Sequence, residues 1–501
     1  MLPWKKVVAA CGICSVILFP LGLVFRADGL CFGTWEGAAS SIVQYGIFLM
    51  ALCLSVQALN GVVWYGARHE TEWSPWGKWG VMAVISIAVL AWWWHAGSQC
   101  SFDFQYRQYP QIVSGQYNLM HTLAHTLLCK GVLSVWPEFQ AIVLVQLGLL
   151  LSVCFMIVSW AARERMRALI VLGAVLLCLF QFEMVTTVIK DVPYSIFLMA
   201  LTVGLCSWLL EKRTSALWLI GLGLAGTGSL RYDGAVPFFL TVAALSVHMF
   251  HHRAEFRRLG IPGGICCWLF AFLVLPFLMD AESGASGTKY AKMAHVVCDI
   301  VAEGGKVSDG DMELIEREIM PRDVIMRQYR LYEDSLHPAV SAGYGQKYLH
   351  TGLFESWETG MKYGFAWTLS GKGELVRNLF FSVSADNPLL AGKILLLNSQ
   401  MVWNLPAGNV RDMPQLSLFY GCVLSFLVYG MMKKKAYLIP FVPFYGVVLA
   451  IGAAATTYEV RYMLPLELLF PVLLLYSISC AKRADVPKEG EKKEGRLSSG
   501  I

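Results

Sequence analysis

Read for chemistry first, the sequence offers a carboxylate, a set of forked cations and a histidine pair, each set between apolar runs. Asp103 stands in SFDFQYRQYP among aromatic and amide neighbours. A carboxylate partly desolvated between Phe102 and Phe104 becomes a stronger base, which suits proton removal from a reacting group. Arg107, Arg231 and Arg461 carry planar forked donors whose geometry matches a phosphate. Lys190, beside Asp191 in VIKDVPYS, either binds phosphate or satisfies its neighbour. His121 and His125 are spaced i, i+4, which predicts two imidazoles on one helical face, set to donate hydrogen bonds to a sugar or phosphate or to face interfacial water. The plainer role for Asp103 is a cap or loop carboxylate. For the arginines it is pairing with Asp103, Asp191, Asp233 or Glu459, and for all of these groups it is anchoring at a membrane interface.

Other chemistries lack their motifs. A zinc-protease signature needs Glu after the first His, whereas Thr122 follows His121. Cys11 and Cys14 lie in an apolar run without His partners, so no cofactor is expected and a divalent metal is not indicated. GLGLAGTG at 221–228 lacks the Lys-Ser/Thr ending of a phosphate loop and reads as close helix packing. Most of the 14 Cys fall in apolar runs; Cys31, Cys100, Cys129 and Cys298 fall outside them and allow three disulfide pairings.

The elements that must position these residues are membrane spans. The chain has 501 residues, 56% hydrophobic and 15% charged, too apolar for an ordinary soluble protein. A bilayer crossing needs roughly 20 mostly apolar residues, and about twelve such runs occur. They lie near 7–25, 41–64, 79–96, 138–160, 168–185, 192–210, 215–230, 235–250, 261–279, 415–432, 436–456 and 462–480. The expected fold is therefore an all-α polytopic membrane protein with about 12 transmembrane helices. With the N-terminus inside, 21 of the 40 Lys and Arg fall on the cytoplasmic side, six fall in short outer loops, and 13 lie in the long segment that follows residue 280. The net charge of +5 is thus a topology signal, concentrated in the tail from Lys482 to Arg496, and does not point to nucleic acid.

This topology sorts the interrupting polar groups to one side. Asp103 and Arg107, then Glu183, Lys190 and Asp191, then Arg231 and Asp233, and last Glu459 and Arg461 all map to the outer face. Ionisable groups at span ends are costly unless they pair or meet water and substrate, so their shared level predicts a polar cavity. The divisions expected are N-terminal spans at 1–78, a transmembrane core at 79–279 with an outer loop at 97–137, an outer domain at 280–414, C-terminal spans at 415–480 and a cytoplasmic basic tail at 481–501. In the outer loop, Leu119, Leu123 and Leu127 predict a surface helix over 116–130. In the outer domain, Ser308 with Asp311 predicts a capped helix running to Ile319 and ended by Pro321, and further helices are expected near 346–364 and 373–384.

In arrangement and short motifs the chain resembles the GT-C superfamily of multi-span glycosyltransferases, which draw sugars from polyprenyl-phosphate carriers on the outer face. Asp103 and HTLAHTLL stand where that superfamily has an acidic residue and a surface helix, after two additional N-terminal spans. KDVPYSIFLMAL is similar to its short acidic turn leading into a span, and EVRYMLPLELLFP to its late Arg before a span. Within the superfamily the chain is most similar to a poorly characterised bacterial multi-pass group, through GKVSDGDMELIEREIMPRDVI and SADNPLLAGKILLLNSQMVWN, over most of 79–480. Phe104 and Gln105 follow Asp103 where the superfamily often has a second acid, so the resemblance does not carry over a metal-assisted mechanism.

The resemblance implies inverting transfer from a polyprenyl-phosphate-linked sugar to a hydroxyl of a glycan, lipid or protein acceptor, with membrane lipids around the spans. Asp103 would be the base, and Arg461 with Arg231 or Lys190 would meet the phosphate; Arg107, His121, His125 and Asp191 complete the substrate-binding set. The rival readings are a transporter or lipid flippase, and a noncatalytic sugar-binding or assembly protein on the same scaffold.

Overall fold

The computed structural model describes residues 35–68, 75–101, 103–119, 121–161, 172–175, 182–213, 215–249, 261–281, 287–326, 371–398, 417–454 and 462–485, with single positions at 8, 11–12, 169–170 and 369. Almost all of them are helical. In chain order the principal elements are α1 (Trp35–Arg68), α2 (Pro75–Ala96), β1 (Gln99–Cys100), α3 (Tyr109–Ser114), α4 (Leu123–Val135), α5 (Phe139–Ala161) and β2 (Thr187–Val188). Then come α6 (Asp191–Glu211), α7 (Ser215–Leu230), α8 (Ala235–Met249) and α9 (Ile261–Leu269), the last continued through a π-turn to Leu278. The segment after residue 280 contributes α10 (Gly287–Ala302), α11 (Asp309–Glu318), α12 (Gly373–Asp386) and α13 (Pro388–Asn398). The chain returns in α14 (Ser417–Met432), α15 (Val442–Ala454) and α16 (Leu464–Asp485).

Among the described residues, five helical stretches are long and apolar enough to cross a bilayer: Trp76–Ala96, Phe139–Trp160, Asp191–Glu211, Lys435–Ala453 and Leu464–Ala484. Five shorter helices are also apolar. The expected run at 7–25 lies mostly outside the described residues, and the run at 168–185 is described at 169–170, 172–175 and 182–185 alone. α6 and α16 pack on each other at the centre, with α7 and α5 against α6 and α14 and α1 against α16. Apolar side chains surround α6 on every side, as a helix enclosed by other helices requires. α2 instead turns Trp76, Ile87 and Trp94 outward, which in a bilayer places them in lipid.

The close approach of α6 and α7 is written in glycine. A Cβ on Gly223 would fall 2.6 Å from the Leu201 backbone, and one on Gly226 would overlap the Phe197 ring. The GLGLAGTG stretch is thus a packing surface, as its composition suggests.

α6 also fixes a length scale. Its 21 residues rise about 30 Å, one bilayer core. At its far end Arg483 donates to Leu210 O at 3.0 Å, and Lys212 lies over the Trp208 ring. At its near end Asp191 enters the polar cluster described below.

Helices α10 to α13 have a core of their own, built on Val297, Ile300, Ile315, Val376, Leu379 and Ile394. α11 starts where Ser308 Oγ accepts from Asp311 N at 3.1 Å. Pro321 follows its end, and the expected helix at 373–384 is α12. The stretch at 346–364 lies outside the described residues.

Candidate functional site

Two strands of two residues each bring the loop after α2 to the Lys190 turn. β1 pairs with β2 in parallel, Gln99 opposite Thr187 and Cys100 opposite Val188. Ser101 extends the join by donating through Oγ to Val188 O at 2.8 Å, and the same oxygen accepts from Phe104 N at 3.2 Å. Gln146 of α5 holds the other strand by donating to Thr187 O at 3.0 Å. Asp103 is thereby set beside the end of α6.

From Phe104 to Gln108 the chain makes one π-turn, closed by Tyr109 N donating to Phe104 O, before α3 begins. Pro110 has no N–H for the carbonyl four residues back, and the wider turn accommodates that loss. Phe104, Gln108 and Gln111 turn inward, while Asp103 and Arg107 lie on the other side, with Arg107 donating to Asp103 Oδ1 at 3.0 Å. The Asp103 side chain is 16% exposed. The carboxylate is thus partly withdrawn from water, and it sits in an ion pair with Arg107 at the edge of the cluster.

The histidines part company. The surface helix begins at Leu123, later than the predicted 116, because Thr122 is an extended N-cap whose Oγ1 donates to Leu230 O at 2.6 Å. His121 precedes the helix, and its Nδ1 lies 2.9 Å from Lys190 Nζ while its Nε2 lies 3.9 Å from Asp103 Oδ1. His125 is inside the helix, fully buried, with Nδ1 on the Gln108 amide and Nε2 3.7 Å from Cys129 Sγ. It fastens α4 to the π-turn and faces neither water nor His121. Burial first, and then the Lys190 charge, lower the His125 pKa to about 3. The same two causes, in the same order, hold His121 well below its ordinary value, so both rings are neutral.

Arg231, just after α7, binds two carboxylates. It donates to Asp191 Oδ1, and it grips Asp233 with Nε at 2.7 Å from Oδ1 and Nη2 at 2.5 Å from Oδ2. Its guanidinium lies between the rings of Tyr194 and Tyr462, 5.3 and 5.2 Å from their centroids. Burial opposes ionisation of Asp233, yet Arg231 and Lys190 together hold its carboxyl below the usual range. Tyr232 ties this turn to the loop before α4 by donating to Leu119 O at 2.7 Å.

The structure therefore brings together Asp103, Arg107, His121, Lys190, Asp191 and Arg231, with His125 as a support behind them. The Glu183 side chain, Glu459 and Arg461 lie outside the described residues. Gln108, Tyr194, Tyr232 and Tyr462 were not foreseen. The only signal for Gln108 was its spacing from Phe104 and Gln111, four and then three residues, within a stretch too polar to read as helix.

Among the described residues no three His, Cys, Asp or Glu side chains gather to hold a metal ion. Cys100, Cys129 and Cys298 are unbridged, and Cys31 lies outside the described residues. The cluster pairs three cations, Arg107, Lys190 and Arg231, with three anions, Asp103, Asp191 and Asp233. It can bind a polar ligand through directed hydrogen bonds, offering both carboxylate acceptors and cationic donors within one patch. No protein-family model matches the chain, and neither curated proteins nor solved structures yield a match.

Proposed function

We propose that the chain is a membrane glycosyltransferase of GT-C type, moving a sugar from a polyprenyl-phosphate carrier to an acceptor hydroxyl on the extracytoplasmic face. The observation that carries this reading is the meeting of Asp103 with Arg107, His121 and Lys190, beside the Asp191–Arg231–Asp233 group, at one end of α6. In the proposal about twelve spans cross the bilayer, both termini are cytoplasmic, and this end of α6 faces outward.

The step balances without a general acid. Asp103 removes the acceptor hydroxyl proton, the oxygen attacks the anomeric carbon, and the carbon–oxygen bond to the carrier phosphate breaks on the opposite face with inversion. The phosphate departs with the bonding electrons, and unlike the alkoxide of glycoside hydrolysis it needs no proton to leave. Arg107 donates to Asp103 Oδ1 and so holds the proposed base in place. A carrier phosphate adds negative charge to a patch whose described charges already balance, which makes Lys190 and Arg461 the cations assigned to it. Arg231, held by two carboxylates, orders the end of α6 rather than leading the phosphate contact.

A transporter would place ionisable groups near the middle of its spans. In the five described helices long enough to cross a bilayer, Asp, Glu, Lys, Arg and His stand only in the end turns, and the mid-helix hydroxyls of Thr202, Thr241 and Ser477 donate to their own helix carbonyls. That distribution favours chemistry at a membrane face over passage through it. The test is reconstitution of the purified chain in vesicles with radiolabelled polyprenyl-phosphate sugars and a membrane-extract acceptor. Label transfer that is lost in Asp103→Asn supports the proposal; binding of the lipid sugar with no transfer favours the noncatalytic reading instead.

A further inference from the structure

His121 carries an atom that the cluster leaves unused. A lysine ammonium has donors and no acceptor, so the 2.9 Å contact from Lys190 Nζ makes His121 Nδ1 the acceptor. The buried ring is neutral, and its one proton therefore sits on Nε2. His121 is 4% exposed, and Nε2 has no hydrogen-bond partner among the described residues. Such a donor is costly to leave unmet.

Nε2 points toward Asp103 Oδ1 across 3.9 Å. That gap is too long for a direct hydrogen bond and suits one oxygen placed about 2.8 Å from each atom, with an angle of roughly 90° between the two bonds. The group that fills it must accept from Nε2–H and donate to a carboxylate. A hydroxyl does both. A carboxylate or phosphate oxygen has no proton for Asp103, and an ammonium has no lone pair for Nε2–H.

We propose that His121 is the specificity-determining residue for the acceptor: its Nε2–H and Asp103 Oδ1 form a two-point seat for a neutral hydroxyl, with Lys190 fixing the tautomer. The seat thus admits an alcohol, of a sugar or a lipid, and rejects amines and acids. The transfer that follows rests on the transferase reading above; the seat itself does not.

Glutamine and asparagine separate the two nitrogens of the ring. The His121→Gln amide reaches the position of Nε2 with its N–H while its oxygen faces Lys190; the shorter His121→Asn amide ends near Nδ1 and cannot reach the seat. The account expects kcat/KM for the acceptor to fall about 10- to 100-fold in His121→Asn, mostly through KM, and to stay within about 10-fold of wild type in His121→Gln. Equal activity of His121→Asn and wild type would overturn it.

The second arm uses the full chain in nanodiscs with 15N-labelled histidine, assigned by the loss of one signal in His121→Gln. A ring protonated at Nε2 from about pH 5 to 8, and an Nε2 signal shifted by methyl glycoside in wild type but not in Asp103→Asn, supports the seat. An Nδ1-protonated ring, or no shift with the glycoside, refutes it. If the wild-type chain transfers no sugar, the transferase reading fails alone and this arm still decides the seat.

Discussion

Replacing Arg231 by Met removes the guanidinium that bridges Asp191 and Asp233, while keeping an unbranched side chain beside the Tyr194 and Tyr462 rings. Asp191 is 1% exposed, and its Oδ2 has no hydrogen-bond partner among the described residues, so water cannot take over from the lost guanidinium. Each ion pair has a gross Coulomb energy of roughly 5 kcal/mol at contact with an effective dielectric of about 20. Most of that offsets the desolvation of the three ions. The observable cost of the substitution is instead the orphaned charge, about 3–5 kcal/mol when one partner of a buried pair is removed. Loss of the cation–ring contacts adds to it by up to about 1 kcal/mol.

The double variant isolates the cause. Asp191→Asn neutralises the more buried orphan, so Arg231→Met with Asp191→Asn should recover about 2 kcal/mol of the loss, a coupling within the range seen for contacting groups. Equilibrium unfolding in mixed micelles, followed by tryptophan fluorescence, reads both values. An Arg231→Met protein within about 1 kcal/mol of wild type, or a double variant that is simply additive, would refute the claim that this buried charge group orders the end of α6.

Three further outcomes are expected. Because folding lowers the His125 pKa to about 3 from an ordinary 6.5, the unfolded chain binds the extra proton first as pH falls. Stability from this group is complete above pH 6.5 and erodes toward pH 3; about 2 kcal/mol should be gone at pH 5, and His125→Gln should flatten that part of the pH profile. Gly223→Ala should destabilise by about 1–3 kcal/mol by forcing α7 off the Leu201 backbone, while Gly148→Ala, with nothing within 4 Å of its new methyl, should be neutral in the same melt. Lys292 donates to Gly452 O in the last turn of α15 at 3.2 Å, and burial lowers its pKa to about 8 although Asp299 works against the shift. The fold thus resists its charge, so stability should rise as pH climbs from about 8 to 10.5, and Lys292→Gln should abolish that rise.

What is legible in the sequence follows from solvation. Charged residues that interrupt apolar runs must gather where water or partners are, which is why the positions of Asp103, Lys190, Asp191 and Arg231 between apolar runs suffice to assign them to one level. The packing role of the glycines at 221–228 is legible for a similar reason, since closely spaced glycines let a neighbouring helix approach. The histidine pair misleads because i, i+4 spacing means a shared face only if both residues are helical. Thr122, extended and tied by its hydroxyl to Leu230 O, stands at the start of the helix, so His121 lies before it and the two rings reach different partners. The β1–β2 join is invisible in the sequence because two-residue strands carry no alternation, yet it is the contact that carries Asp103 to Lys190. The pairing of Arg231 with both Asp191 and Asp233 depends on where α6 and α7 meet, which sequence spacing does not encode.

The central claim is tested most directly by mass spectrometry of lipid-linked sugars and surface glycans from cells carrying the intact gene, a deletion, or Asp103→Asn. The account predicts that both altered strains accumulate the same polyprenyl-phosphate sugar and lose the same surface decoration, with the Asp103→Asn protein present in the membrane at normal level. Unchanged pools in both strains, or full decoration in Asp103→Asn cells, would contradict it.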